Sequence, residues 1–543
     1  MNNLIIDYLE YYCYNIYAMY TRTKTFTNKD GSKRTYLYIV EGVRENGRVR
    51  QKTVANLGRL ENLQKDGLDK LIEGLANFSR NHWIQTKAEE LMVHNAKEWG
   101  TELIFHHLWV KLGLQDILDK LLSGTDIAIP TTEAIYAMVL NRISEPSSKR
   151  AVHQWVNDIH RPSFEELQLH HFYRALDFLS EHKDAIELNL FHNVMNLFNL
   201  ELDMVFWDTT STYFTGDGPA GLAMHGHSKD HRPDQKQVII GVLMTREGIP
   251  VAHQMYPGNT ADIETFRSMI KDARNRFKLG RTIFIGDRGM VGKELLDELD
   301  SQGIEYVVGI RMRKMKAAAE VLKTGGRYKK VSENLHVKEV WSGDADRYIV
   351  CYNPEEAERD RIVRAETVKK LEEKLKETSL KQMVGNKGYR RYLNIEGAKA
   401  SVDYQAFKNE ARYDGKYILR TNAMLDTDEA AQAYKELWRV ERAFRDLKST
   451  LDLRPIYHWR ESRVSGHIMV CFLALVLESA LQRSLHNEQI EFSYLIKDLK
   501  QLKSVELTMA GEKYLCRTDL PGCSSKAFKA IGLRVPRQTS KIE

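Results

Sequence analysis

The sequence predicts an α/β fold: a mixed sheet interrupted by a strand-rich stretch, preceded by a small antiparallel sheet and a helical region. Three observations predict it. Residues 19–58 hold three β-rich runs parted by hairpin-turn chemistry at Asn28-Lys29-Asp30-Gly31 and Glu45-Asn46-Gly47. Residues 61–199 carry helical periodicity with few breaks. Beyond residue 202, strands and helices alternate. At 543 residues the chain is long enough for several domains and at least one large core.

Composition narrows the class. Hydrophobic residues make up 43% and charged residues 28%, a globular balance that excludes global disorder. The net charge of +6 suits a polyanion partner without requiring one, because clustering matters more than the sum. The five cysteines form no CxxC pair, so neither a zinc knuckle nor a disulfide framework is indicated, and a reducing compartment fits. Residues 1–18 lack the basic start and small-residue cleavage site of a signal peptide. They read as a disordered extension, with Met19 as an alternative start. The longest apolar run, Ile468–Leu477, is short for a bilayer and ends at Glu478. It reads as a buried helix, and the protein as cytoplasmic with no membrane partner.

Taken in order, residues 19–58 form the small sheet from Met19–Phe26, Thr35–Val43 and Val49–Leu57. Arg22, Lys24, Lys33, Arg34, Arg44, Arg48, Arg50 and Lys52 crowd it. That density favours a DNA-backbone contact over edge lysines that only discourage aggregation. Residues 59–200 read as a helical region for DNA binding or scaffolding, with helices at Leu103–Leu122, Thr131–Ile143, Lys149–Val156 and Phe164–Leu179.

Residues 201–310 hold strands at Asp203–Thr212, Gln237–Thr245 and Ile249–Gln254, then a helix at Ala261–Phe277. A strand at Thr282–Gly286, a helix at Val291–Ser301 and a strand at Tyr306–Gly309 follow. Three antiparallel strands and then helix, strand, helix, strand is the order of an RNase H-like mixed sheet. Residues 311–415 interrupt it with strands at His336–Trp341, Asp346–Tyr352 and Tyr389–Ile395 and a charged helix at Pro354–Glu377. The core resumes over 416–485, opening with a strand at Lys416–Thr421. Residues 486–543 form a basic, turn-rich C-terminal region.

The stretch Tyr434–Lys448 reads as one amphipathic helix, with Leu437, Val440, Phe444, Leu447 and Leu451 at spacings of three and four. At about 100° per residue, Tyr434, Glu441 and Lys448 fall within about 40° of one another, with Trp438 and Arg445 beside them. Alone, this is a surface helix with a Glu441–Arg445 pair.

Two further acids change its meaning. Asp208 lies mid-strand, where a carboxylate is costly unless paired, hydrogen-bonded or metal-bound. Asp287 ends a short apolar strand, just before Arg288-Gly289, facing the crevice at the carboxyl ends of the strands. In an RNase H-like sheet these strands are neighbours, and the Glu441 helix packs across the same edge. Three converging carboxylates make a hard-oxygen site for Mg²⁺, or Mn²⁺ as a substitute. Two such ions about 4 Å apart suit an in-line phosphoryl transfer. Each acid also has a plain structural reading: a turn cap through Thr210, a strand–helix turn, and a pair with Arg445. Jointly the three favour catalysis.

Three blocks, Trp207–Tyr213, Ile285–Met290 and Tyr434–Lys448, resemble the DDE transposases of bacterial insertion sequences, in the group with a strand-rich insertion before the catalytic Glu. The resemblance spans roughly residues 202–479, and the N-terminal sheet is similar too. It implies that Asp208, Asp287 and Glu441 are the catalytic, metal-binding triad. The group's YREK signature is met at Tyr434, Glu441 and Lys448 and broken at Leu437, where the group has Arg; Arg439 or Arg445 is left to supply that cation.

The implied function is cleavage of double-stranded DNA at the element's ends and strand transfer into target DNA, by a homodimer in the DNA complex. Tyr434 and Lys448 would hold backbone phosphates, with Arg288, Arg439 and Arg445 in the DNA-binding set. Trp438 is open to base stacking or to core packing beside Leu437. A catalytically inactive DNA-binding derivative and an RNase H-like nuclease are the alternatives. Lys229, Arg232 and Lys236 make the His-rich loop at 215–234 a modest DNA-contact candidate, and His467 reads as a packing residue.

Overall fold

The computed structural model describes residues 19–45, 48–63, 65–76, 78, 91–198, 203–278, 282–343, 346–377, 387–396, 399–486, 488, 490–509 and 511–542. The extension expected at 1–18 lies outside the described residues. The chain divides into two units, residues 1–92 with 508–512 and residues 93–507 with 513–543.

The first unit is an antiparallel meander of β1 (Met19–Thr27), β2 (Lys33–Glu45) and β3 (Arg48–Arg59), followed by helix α1 (Lys65–Ala76). Asp30 closes the first turn by accepting hydrogen bonds from the Ser32 amide and hydroxyl. β1 is exposed along its whole length, and Arg22, Lys24, Lys33, Arg34, Arg50 and Lys52 all face solvent.

A strand, β4 (Met92–Glu98), stands where only helix was expected. Helices α2 (Gly100–Lys111), α3 (Leu114–Leu122), α4 (Thr131–Ser144), α5 (Lys149–Trp155), α6 (Leu169–Glu181) and α7 (Lys183–Phe198) follow. The single helix expected over 103–122 is two, because Gly113 sits at φ 72, a left-handed conformation that ends α2 and redirects the chain. Helix α4 is buried on nearly every side, which makes it the axis of this bundle.

Then come β5 (Met204–Tyr213), β6 (Gln237–Thr245), β7 (Pro250–Pro257), α8 (Asp262–Phe277), β8 (Ile283–Gly286), α9 (Lys293–Ser301) and β9 (Tyr306–Gly309). Pairing is antiparallel from β5 to β7 and parallel from β5 through β8 to β9, as the order of elements implied. The interrupting stretch supplies α10 (Lys316–Lys323), β10 (Lys329–Ser332), β11 (Leu335–Ser342), β12 (Asp346–Tyr352) and the charged α11 (Pro354–Glu377). Next are α12 (Lys387–Arg390), β13 (Leu393–Glu396), β14 (Lys399–Val402), α13 (Tyr404–Glu410) and β15 (Lys416–Thr421). The strand expected at 389–395 is thus the end of a short helix and a later strand.

β10, β11 and β12 do not form a sheet of their own. They extend the main one through β15, giving the order β10-β11-β12-β15-β9-β8-β5-β6-β7, while β13 and β14 pair separately.

The sheet is covered on both faces. Val205, Trp207, Phe284 and Val308 pack with α8 and α9, whereas Met204, Phe206, Ile283, Ile285 and Val307 join the core shared with the helical bundle. That second face also takes α14 (Thr427–Lys435), α15 (Trp438–Ser449) and α16 (Glu461–Ser484). Helix α16 is long and apolar enough to cross a membrane, but 94% of its most apolar window is buried inside the protein, so it serves as the core's central rod. The C-terminal region is built from α17 (Phe492–Gln501), β16 (Lys503–Met509), β17 (Glu512–Arg517), α18 (Ser524–Ile531) and β18 (Thr539–Lys541), rather than from turns.

Candidate active site

Register brings the two aspartates together. Trp207 of β5 pairs in parallel with Gly286, the last residue of β8, so Asp208 and Asp287 stand next to each other at the following position. Period two decides their direction. Phe206 and Ile285 point into the core beneath α15 and α16, and Asp208 and Asp287 share their parity and hence that face. Helix α15 buries Val440, Phe444 and Leu447 in the same core, which leaves Glu441 exposed on its rim.

The three acids feel one another. Burial pushes the Asp208 carboxyl up to about 6, opposed by the Lys229 ammonium and the Thr209 amide, and reinforced by the charges of Asp287 and Glu441. Yet among the described residues no three His, Cys, Asp or Glu side chains stand close enough together to hold a metal ion. The carboxylates converge without closing.

The cation nearest Asp208 belongs to the chain itself. Lys229 Nζ lies 4.0 Å from Asp208 Oδ1 and donates to the Thr209 carbonyl at 2.5 Å. Its amide donates to Ser211 Oγ at 2.9 Å, so the loop at 215–234 is laced to β5.

Tyr434 and Glu441 lie on different helices. The single helix expected over 434–448 breaks at Glu436–Leu437: α14 ends at Lys435 and α15 starts at Trp438, with Leu437 buried at the bend. Tyr434 hangs from the last turn of α14 and donates its hydroxyl proton to Asp287 Oδ1 at 2.9 Å. Burial and the adjacent Asp287 push the phenol's pKa well up, so it remains a donor. Its ring stacks on Tyr417 with centroids 5.7 Å apart, and Gly309 leaves the space, since a Cβ there would strike the hydroxyl.

The signature's other members are distributed differently. Lys448 donates to Asp230 Oδ1 at 2.7 Å and Arg454 donates to the same oxygen at 2.6 Å, around a carboxylate only 4% exposed. Arg439 is turned toward the β6–β7 turn, bonding the Arg246 carbonyl and packing on Gly248. Arg288 and Arg445 are exposed, and Glu441 forms no ion pair with Arg445 among the described residues. Trp438 is half exposed at the start of α15 and is not core. The sequence marks Lys229 as a DNA-contact candidate in a loop and carries no indication that it lies beside Asp208 or that Asp230 gathers Lys448 and Arg454. Lys229 and Asp230 show there only as an adjacent Lys-Asp pair in an aperiodic Gly- and His-rich loop.

Comparison with known families agrees with this architecture. A family model described as "Transposase DDE domain" matches residues 203–477. A second, described as "IS1634 family transposase, N-terminal domain", matches residues 21–89. No curated protein matches the chain.

Proposed function

The chain belongs to the IS1634 family of DDE transposases, enzymes of phosphoryl transfer that cleave DNA and join strands, and from that premise we propose that Asp208, Asp287 and Glu441 carry its chemistry. The observation that supports this assignment most is the shared register and parity of Asp208 and Asp287 beneath the Glu441 helix.

DDE transposases use a divalent metal. The donor set here fits one chemically: three carboxylates supply hard oxygens, and burial of Asp208 leaves a charge that a cation would offset. We assign Asp208, Asp287 and Glu441 as ligands of Mg²⁺, two ions in all, with Mn²⁺ able to substitute. Once bound, such ions supply Lewis acidity at phosphorus and ease formation of the attacking oxygen nucleophile.

The chain's own residues do the rest. The Tyr434 hydroxyl fixes the rotamer of Asp287, so one carboxylate oxygen stays turned away from Tyr434. Lys229, 4.0 Å from Asp208 Oδ1 and held by Thr209, sets a positive charge against that carboxylate and would be within the site that a DNA phosphate approaches. Lys448 and Arg454, gathered on Asp230, present a bipartite cation to the backbone beside the site, with Arg288, Arg445 and Trp438 exposed around it. Arg439 is left out of this set by its contact with Arg246.

In this reading residues 201–310 and 416–485 are the catalytic core, 311–415 its insertion, 19–58 a small basic sheet that contacts DNA, 59–200 a helical region for DNA binding or scaffolding, and 486–543 a basic C-terminal region. The substrate is double-stranded DNA with inverted-repeat ends, inside the cell, handled by a homodimer.

A supercoiled donor plasmid carrying the element's flanking repeats tests the assignment. Cleavage at the ends with Mg²⁺, abolished by chelation and by Asp287→Asn, is the expected result. Binding without cleavage would leave an inactive derivative, and nicking independent of the repeats would leave a nuclease.

A further inference from the structure

Beyond the carboxylates, one cavity of about 630 Å³ opens between the turn joining α4 to α5 and the chain segment that follows α15. Its floor is Arg142, Lys149 and His467, exposed by only 6%, 4% and 5%. Lys149 Nζ contacts His467 Nδ1 at 3.2 Å, and His467 Nε2 contacts the Leu453 carbonyl at 3.3 Å. Arg142 donates to the carbonyls of Asp452 at 3.2 Å and Ser147 at 2.9 Å. Among the described residues neither cation has a carboxylate partner.

Two cations so deeply placed without an anion are costly, and interiors ordinarily pair them. Arg463 adds a third charge at the cavity wall, partly met by Asp177 at 3.6 Å, and Asp452 is the one acid among the lining residues. Burial and Arg142 hold the Lys149 ammonium down to about 7, a state that an incoming anion would reverse.

The rim is aromatic. Tyr457 and Trp459 are 68% and 70% exposed, and the Arg460 guanidinium sits 5.3 Å from the Trp459 ring centre. Cationic floor and aromatic rim match a nucleotide's two parts, its phosphate and its base. The cavity also continues the candidate site along the chain: Asp452 lies four residues beyond Lys448, and Arg454 shares Asp230 with Lys448.

We propose that this cavity holds one nucleotide of a DNA strand splayed out of the duplex, with its phosphate on Arg142 and Lys149 and its base on Trp459. The depth of Lys149 selects a strand that enters the cavity over a phosphate on the outside of a duplex. The proposal rests on the reading of this chain as a DNA-processing enzyme.

The test uses the full chain, in chelator so that nothing is cut, with two labelled probes: a short 5′-phosphorylated oligothymidylate and a blunt duplex. Lys149→Met and Trp459→Ala are each expected to weaken oligothymidylate binding about tenfold while leaving duplex binding unchanged. Tryptophan quenching by oligothymidylate should shrink in Trp459→Ala. Trp459 is a surface side chain, so its variant remains informative if Lys149→Met fails to fold. Oligothymidylate affinity that is unchanged in Trp459→Ala, or a wild type that binds only the duplex, overturns the proposal. Loss of both affinities in parallel overturns it too, by showing a structural role. The plasmid assay fails or succeeds separately, because it scores cleavage and this assay scores a ratio of affinities.

Discussion

The Tyr434 hydroxyl, in the last turn of α14 just ahead of the bend into α15, donates to Asp287 Oδ1 at 2.9 Å. A signature tyrosine therefore acts on a carboxylate before any DNA arrives. Tyr434→Phe keeps the stack on Tyr417 and removes this bond together with the hydroxyl's hydrogen bond to the Arg288 amide. A single hydrogen bond to a charged group is worth about 1.5–3 kcal/mol, so end cleavage should slow by about tenfold or more. The bond also holds the folded state, so the unfolding midpoint should fall as well, and the rate is compared at a temperature where both proteins are fully folded. Cleavage kinetics on the donor plasmid at saturating Mg²⁺ check this, and an unchanged rate would reduce Tyr434 to a packing residue.

Asp230 ties the loop over the site to the end of the Glu441 helix. It is buried, and its Oδ1 receives both Lys448 and Arg454. Asp230→Asn leaves two cations facing a neutral amide, and breaking a buried pair in this way costs about 3 kcal/mol. A fall in the urea midpoint together with weaker end cleavage is expected. Lys448→Met in the Asp230→Asn background should cost less than in wild type, which a double-mutant cycle reads directly.

Much of this architecture was legible in the sequence. β6, β9, β12, α11 and β15 fall on the boundaries read from alternation, apolar runs and turn residues, and the adjacency of Asp208 and Asp287 followed from element order. The bend at Glu436–Leu437 was not legible. The apolar spacing of Leu437, Val440, Phe444 and Leu447 runs unbroken through it, and neither Gly nor Pro marks it. The chain turns there through short-range bonds from Leu437 to Tyr434 and from Val440 to Leu437, which leave no compositional trace. Lys229 was illegible as a partner of Asp208 for another reason: the loop at 215–234 has no period, and only tertiary folding lays it over β5. Leu437, which breaks the signature, proves to be a core residue at the bend. The joining of β10–β12 to the main sheet depended on long-range pairing through β15, which no local pattern encodes.

Glu478 on α16 makes the core pH-dependent. Burial, with Asp446 nearby, pushes its carboxyl up to about 8; Gln482 donates to Oε1 at 2.8 Å and Oε2 has no partner. The folded pKa lies above the ordinary 4.5, so the unfolded chain loses this proton first as pH rises. The stabilising contribution is complete below about 4.5, declines through neutrality and is gone above 8. Glu478→Gln removes that slope. Urea unfolding should show the variant more stable than wild type by about 3 kcal/mol at pH 7, with the gap closing as pH approaches 4.5. A gap independent of pH would mean that Glu478 is already ionised in the fold.

Lys229 should set the acid limb of activity. As the metal ligand proposed above, Asp208 would have to be ionised, and its carboxyl, pushed up to about 6 by burial, is held back from rising further by the Lys229 ammonium 4.0 Å away. In wild type, cleavage at fixed subsaturating Mg²⁺ should therefore fall as pH drops through about 6. Lys229→Met removes the opposing charge, so Asp208 holds its proton to higher pH and the limb moves upward, by about one unit for a charge at this distance and partial exposure. At alkaline pH, with Asp208 fully ionised in both proteins, the variant should recover most of its rate if Lys229 acts only through Asp208. A deficit that persists there would assign Lys229 a direct contact with DNA. A limb that stays in place would separate Lys229 from Asp208 altogether. Rate profiles at two Mg²⁺ concentrations distinguish these outcomes, because saturating metal competes with the proton and pulls the limb down in both proteins.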